Sequence, residues 1–147
     1  MRFVSAVAVL DNEAAQALAD PTHRKHPRML AILAAAAGRN RRTAGSVSVV
    51  VPTAVRVEAL LDRGAPRAAE LGRLRVSDVP LDTGRADRAA RLRSAAGGST
   101  VDAIVVEAAE RLAADGGLAT VYSADLADLP RLAARSARPE RILIRRL

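Results

Sequence analysis

The chain contains no cysteine, which excludes disulfides, thiolate–zinc sites and cysteine nucleophiles and fits a reducing compartment, the cytoplasm by default. Aromatic residues are almost missing: Phe3 and Tyr122 stand alone, too few for the stacking platform that single-strand readers use. Lysine occurs once, as Lys25, and the rest of the 23 basic residues are arginine. No apolar run approaches the roughly 20 residues of a membrane-spanning helix, so no membrane segment is expected. The short apolar run behind Met1 passes directly into Asp11-Asn12-Glu13 without a small-residue cleavage pattern, and reads as a strand. Phosphate-loop and dinucleotide glycine fingerprints are also absent. Ser46, Ser48 and Ser123 lack the Gly-x-Ser-x-Gly setting of a hydrolase nucleophile. His23 and His26 flank Arg24-Lys25 outside any metal motif and read as surface histidines.

What is present describes one globular domain over residues 1–147: half of the chain is apolar and 27% is charged. The net charge of +7 favours polyanions, nucleic acid first, although a GC-rich coding sequence gives the same arginine-rich composition. With so few aromatics, any RNA would be gripped through its phosphates.

Residues 4–10 form an almost continuous apolar, partly β-branched run, the pattern of a strand buried on both faces. Helix formers fill residues 13–19. Pro27 opens a second helix that carries Met29, Leu30, Ile32 and Leu33 and is expected to end at Gly38, before a basic loop over residues 39–45. Residues 46–51 read as a strand, 52–63 as a helix opened by Pro52, 64–72 as a looser stretch with a turn of helix, and 74–79 as a short strand near an edge. Asp82 is placed to cap a helix over 83–96, with Asp87 and Arg91 spaced as a surface pair, and Gly97-Gly98 breaks it. Ser99 and Asp102 have capping-box spacing for a helix reaching Ala114, which Asp115-Gly116-Gly117 stops. A strand over 118–122, a helix over 125–134 and a last strand over 141–146 follow. This alternation predicts a three-layer α/β domain with a mostly parallel sheet.

Four acids sit beside or inside apolar runs: Asp11, Glu58, Asp102 and Asp125. A carboxylate there loses hydration and titrates, pairs with a base or holds a metal. Three have an ordinary alternative, since Asp11, Asp102 and Asp125 each occupy a helix-capping position, and Glu58 has the reading of a plain surface glutamate. On a helix through residue 58, however, Ala54, Val55 and Leu61 share its face. Asp102 aligns with Val105, Val106 and Ala109, leaving Glu107, Glu110 and Arg111 for the other side. A parallel sheet delivers its strand ends to one edge, and there four such acids make a divalent-metal pocket. All-oxygen ligands suit Mg²⁺ or Mn²⁺.

Val-Leu-Asp-Asn-Glu-Ala at 9–14, Val-Pro-Thr-Ala-Val-Arg-Val-Glu at 51–58, Thr-Val-Asp-Ala at 100–103 and Val-Tyr-Ser-Ala-Asp-Leu-Ala-Asp-Leu at 121–129 together resemble a PIN domain of the VapC toxin type. The resemblance covers nearly the whole chain. It implies an α/β/α sandwich, a Mg²⁺- or Mn²⁺-dependent endoribonuclease, frequent homodimerisation and, in many members, a cognate antitoxin. Asp11, Glu58, Asp102 and Asp125 match the acidic quartet of the family, Ser123 matches the hydroxyl residue before the last acid, and Asp128 matches a further acidic position. At the first motif Asn12-Glu13 replaces the usual hydroxyl pair, which makes Glu13 an available extra ligand. The alternatives are a stand-alone PIN nuclease in RNA processing and a catalytically degenerate interaction module. For a toxin, an antitoxin helix is expected against Met29, Leu30 and Leu33, unless these side chains belong to the toxin's own core.

Overall fold

The computed structural model describes residues 6–42, 47–114 and 117–147. Five strands, β1 (Ala6–Leu10), β2 (Val47–Pro52), β3 (Ser77–Val79), β4 (Leu118–Ser123) and β5 (Ile142–Arg146), build one sheet in the order β3-β2-β1-β4-β5. All four pairings are parallel. Parallel strands require crossovers, and among the described residues seven α-helices supply them: α1 (Asn12–Ala19), α2 (His26–Arg42), α3 (Thr53–Glu58), α4 (Ala69–Arg73), α5 (Thr83–Ala96), α6 (Thr100–Leu112) and α7 (Asp128–Ala133). The chain winds outward from β1 through β2 to β3, then returns across the sheet to β4 and β5. Right-handed crossovers therefore divide the helices into two groups that flank the sheet. Helix α1 packs against α2, α3 and α4, while α5, α6 and α7 pack against one another.

Apolar strand residues make the core continuous across the sheet, with Val9, Leu10, Val51 and Val121 fully buried. The C-terminal half of β1 is thus buried on both faces, as its near-continuous apolar run predicts, whereas one face of β4 stays partly exposed. Helix α6 lies against β1, β2 and β4 and buries the apolar stretch from Ala103 to Val106. The short strand β3 is at an edge, as expected, although it begins only at Ser77.

Several boundaries differ from the sequence expectation, each for a local reason. Helix α2 does not end at Gly38 but continues to Arg42: Gly38 is buried within it, and the arginines that follow are good helix formers. The helix expected over residues 52–63 stops at Glu58. Leu60 adopts φ 57°, and the bonds from Leu60 N–H to the Val57 carbonyl (3.2 Å) and from Leu61 N–H to the Arg56 carbonyl (2.8 Å) close a Schellman motif. The same motif ends α4, with Arg75 at φ 56°. Neither position holds the glycine that usually marks such a stop. Helix α7 starts at Asp128 rather than Asp125, and α6 ends at Leu112. Asp87 and Arg91 are both exposed, and among the described residues neither takes part in an ion pair. The expected strand start at residues 4–5, residues 43–45 of the basic loop, Ser46, and Asp115-Gly116 lie outside the described residues.

Candidate metal centre

In the order 3-2-1-4-5 the direction of winding reverses between β1 and β4, and the crevice beyond their C-terminal ends is where open α/β sheets place ligands. Leu10 is in register with Tyr122, so Asp11 and Ser123, the next residues on each strand, arrive there side by side. Helix α6 leads into β4 and runs against the strands, so its first turn, with Asp102, rises at the same edge. The segment after β4 contributes Asp125 and Asp128.

Each acid is fixed by backbone that the sequence specifies. Asp11 is 7% exposed and caps α1, accepting from Ala14 N–H at 2.9 Å. Burial pushes its carboxyl up, against smaller opposing contributions from the Ser123 hydroxyl and the Ala14 N–H. Asp125 Oδ1 accepts from Ala127 N–H (2.9 Å) and Asp128 N–H (3.2 Å), a turn that delivers the chain into α7. The Ala127 N–H contributes most to holding the Asp125 carboxyl below the usual range. Ser123, fully buried, accepts from Asp125 N–H at 2.8 Å.

Asp102 is different. Its N–H donates to Ser99 Oγ at 3.0 Å, the first half of the capping box. The second half is not made: among the described residues no backbone N–H reaches its carboxyl. Desolvation first, and the proximity of Asp125 and Asp128, push that carboxyl up to about 6, with the Ser99 hydroxyl opposing.

Carboxylate oxygens of Asp102, Asp125 and Asp128 all lie within 4.8 Å of one another. Three hard oxygen donors converging from two elements fit a hard divalent cation; burial raises Asp102 first, and the neighbouring carboxylates add to that rise. Arg131 pairs with Asp128 at 2.6 Å and neutralises one side of the group.

The remaining expected residues take other places. Glu58 is exposed at the end of α3, outside the three-acid group, because the early helix stop removes the apolar face that residues 59–63 were expected to complete. Glu13 is committed to Lys25 at 2.7 Å. Glu107, assigned to the outer side of α6, is instead 3% exposed and faces Arg111 Nε at 3.5 Å. The long side chains of Arg85, Arg88 and Arg111 between α5 and α6 line a cleft with it, which periodicity within one helix does not reveal. His26 is half-buried, with Nδ1 at 2.7 Å from the Ala17 carbonyl, and so ties α1 to α2 rather than sitting freely on the surface. Met29 is fully buried in the core, while Leu30 and Leu33 pack partly buried against it. Asp128, matched only as an auxiliary position, stands with Asp102 and Asp125; the Asp-x-x-Asp spacing was its one signal.

No family model matches the chain, and no curated protein matches it. The parallel sheet in the order 3-2-1-4-5 and the acidic group at its switch point are consistent with a PIN-like fold.

Proposed function

We propose that the chain is a divalent-metal-dependent endoribonuclease of PIN type, acting as the toxin of a toxin–antitoxin pair. The observation that carries this reading is the convergence of Asp102, Asp125 and Asp128 at the switch point, with Asp11 buried next to Ser123. Asp102, Asp125 and Asp128 would hold Mg²⁺ or Mn²⁺, and Asp11 would complete the negative lining. A bound cation there supplies Lewis-acid polarisation of a phosphodiester and a lower pKa for attacking water.

The protein's own groups do the rest. Ser99 and Ser123 orient the Asp102 and Asp125 segments through backbone N–H bonds, which helps hold these two acids near one another. Arg131, on the rim and paired with Asp128, is placed to exchange that carboxylate for a substrate phosphate. The arginine-rich surface collects a polyanion without base stacking, which favours RNA backbone contacts over base readout. Glu58, exposed at the end of α3, would act on substrate or on a second cation rather than as part of the three-acid group. A homodimer and an inhibitory antitoxin belong to this reading through the resemblance.

The test is cleavage of single-stranded RNA by chelator-treated protein with Mg²⁺ or Mn²⁺ added back, beside Asp102→Asn. Growth arrest on expression alone, relieved by the neighbouring gene and abolished by Asp102→Asn, establishes the toxin. Cleavage without growth arrest leaves the stand-alone nuclease. Absence of both metal binding and cleavage leaves an interaction module, for which the capping bonds of Asp11 and Asp125 are sufficient reason to keep these acids.

A further inference from the structure

A cleft of about 490 Å³ opens between α5 and α6, with the segment before β5 as its third wall. Its walls are fixed by bonds within the chain. Glu110 of α6 holds Arg88 of α5 through Nε at 2.9 Å and Nη2 at 3.1 Å, and it accepts from Ala137 N–H at 3.2 Å, so one carboxylate ties all three walls together. Arg85 donates to the Pro80 carbonyl and stands 3.4 Å from Asp82.

Three groups that line the same cleft are not satisfied in this way. Glu107 is 3% exposed, yet its carboxylate accepts no hydrogen bond among the described residues; its one ion-pair contact is with Arg111 Nε at 3.5 Å. That Nε is itself buried and donates to no acceptor. Arg138, on the third wall, is exposed and takes part in no ion pair among the described residues. A buried acceptor and a buried donor left unbonded each cost desolvation that the fold does not recover. Burial accordingly pushes the Glu107 carboxyl up; the charges of Arg111 and Arg85 offset this only in part, and Glu110 and Asp82 add to the rise.

The chemistry of a fitting ligand follows from these unmet groups. A hydroxyl satisfies an acceptor and a donor side by side, giving its proton to Glu107 and accepting the Nε–H of Arg111. An anion satisfies the cation on the rim, and a guanidinium fork matches the oxygens of a phosphate. The cleft is lined by no aromatic residue and by no apolar residue larger than alanine, so it offers nothing to a nucleobase.

We infer that this cleft is a binding site for a sugar phosphate, with a hydroxyl seated between Glu107 and Arg111 and the phosphate held by Arg138. The same chemical unit exists as a free compound and along an RNA backbone. The inference does not rest on the nuclease reading, because none of Asp11, Asp102, Asp125 and Asp128 lines the cleft.

The experiment titrates the isotope-labelled full chain, in chelator, separately with ribose 5-phosphate, inorganic phosphate and ribose. Ribose 5-phosphate is expected to shift the amides of Gly84, Arg111 and Arg138 and to bind about tenfold or more tightly than either fragment. Arg138→Gln, at an exposed position, should weaken ribose 5-phosphate about tenfold while the melting temperature stays near the wild-type value. Glu107→Met, of similar size but without the acceptor, should bring ribose 5-phosphate down to the affinity of phosphate. If Glu107→Met does not fold, the map of shifted amides and Arg138→Gln still decide. Equal affinity of the wild type for ribose 5-phosphate and phosphate, shifts confined to other residues, no saturation at millimolar concentration, or unaltered affinity in Arg138→Gln overturns the proposal. An RNA oligonucleotide that displaces ribose 5-phosphate and shifts the same amides, where DNA of the same sequence does not, assigns the site to an RNA backbone. Binding of ribose 5-phosphate without binding of RNA assigns it to a free sugar phosphate.

Discussion

Asp102 and Asp125 are each carried by a serine: Ser99 Oγ takes the N–H of one at 3.0 Å and Ser123 Oγ takes the N–H of the other at 2.8 Å. The two carboxyls face each other as a result, and their protonation is linked, with Asp102 pushed up and Asp125 held down. A proton or a cation satisfies this arrangement; two free charges do not.

Metal should therefore stabilise the fold. At a concentration about 100 times the dissociation constant, Mn²⁺ or Mg²⁺ is expected to add about 2.7 kcal/mol, read as a rise in melting temperature relative to chelator-treated protein. The rise should vanish in Asp102→Asn/Asp125→Asn. Calorimetry without Mn²⁺ binding at millimolar concentration near neutral pH removes the metal centre.

Single substitutions separate ligand from cap. Asp102→Asn is expected to reduce RNA cleavage on the order of 100-fold or more, yet to raise the melting temperature of metal-free protein by relieving repulsion. Asp11→Asn should also reduce cleavage but gain less stability, because Asp11 caps α1. Glu58→Gln, outside the three-acid group, should cost less activity than Asp102→Asn. Wild-type cleavage by the Asp102 variant, together with easier unfolding, restores the capping explanation for that residue.

The pH dependence has a definite sign. The Asp102 carboxyl in the folded protein titrates near 6, above its ordinary value of 3.8, so the folded state binds more protons than the unfolded state between those limits. Metal-free stability contributed by this group is full below about pH 4 and falls as pH rises toward about 6. Asp125 acts oppositely at lower pH, being held below the usual range. Urea unfolding in chelator at pH 4.5 and pH 7 should show a smaller difference in Asp102→Asn than in wild type. With Mn²⁺ present the wild-type trend should reverse, since the cation displaces the proton.

Leu60→Gly should stabilise the protein by about 1 kcal/mol. Leu60 is 81% exposed at φ 57°, so little burial is lost while left-handed strain is relieved. Chemical denaturation measures it, and a loss of stability means that the exposed leucine makes a contact in solution.

The fold was largely legible because its signals are local and redundant. Apolar runs mark β1, β2 and β4, Asp82 and Ser99 cap the helices they precede, and Gly97-Gly98 separates α5 from α6 at φ 77° and 86°. The site was legible in part. Asp11, Asp102 and Asp125 stand at ends of elements, where a parallel sheet fixes their destination. Glu58 depended on a helix continuing past residue 58, and the stop at Leu60 carries no glycine to announce it. Glu107 depended on what α5 lays against α6, a contact between arginine side chains from another helix. Gly38 shows the converse, a stop signal that α2 overrides because the glycine is packed and arginines follow.

The Lys25–Glu13 pair has a consequence for how the protein's charge can be changed. Lys25 is the single lysine, and its ammonium lies against Glu13 at 2.7 Å with the side chain 18% exposed. Every other fixed side-chain cation is a guanidinium, which keeps its proton throughout the biological pH range. Lysine acylation therefore has almost nothing to act on, and the positive surface behaves as a constant rather than as a regulated quantity. What varies its grip on a polyanion is ionic strength or a competing acidic surface, not enzymatic charge removal at lysine.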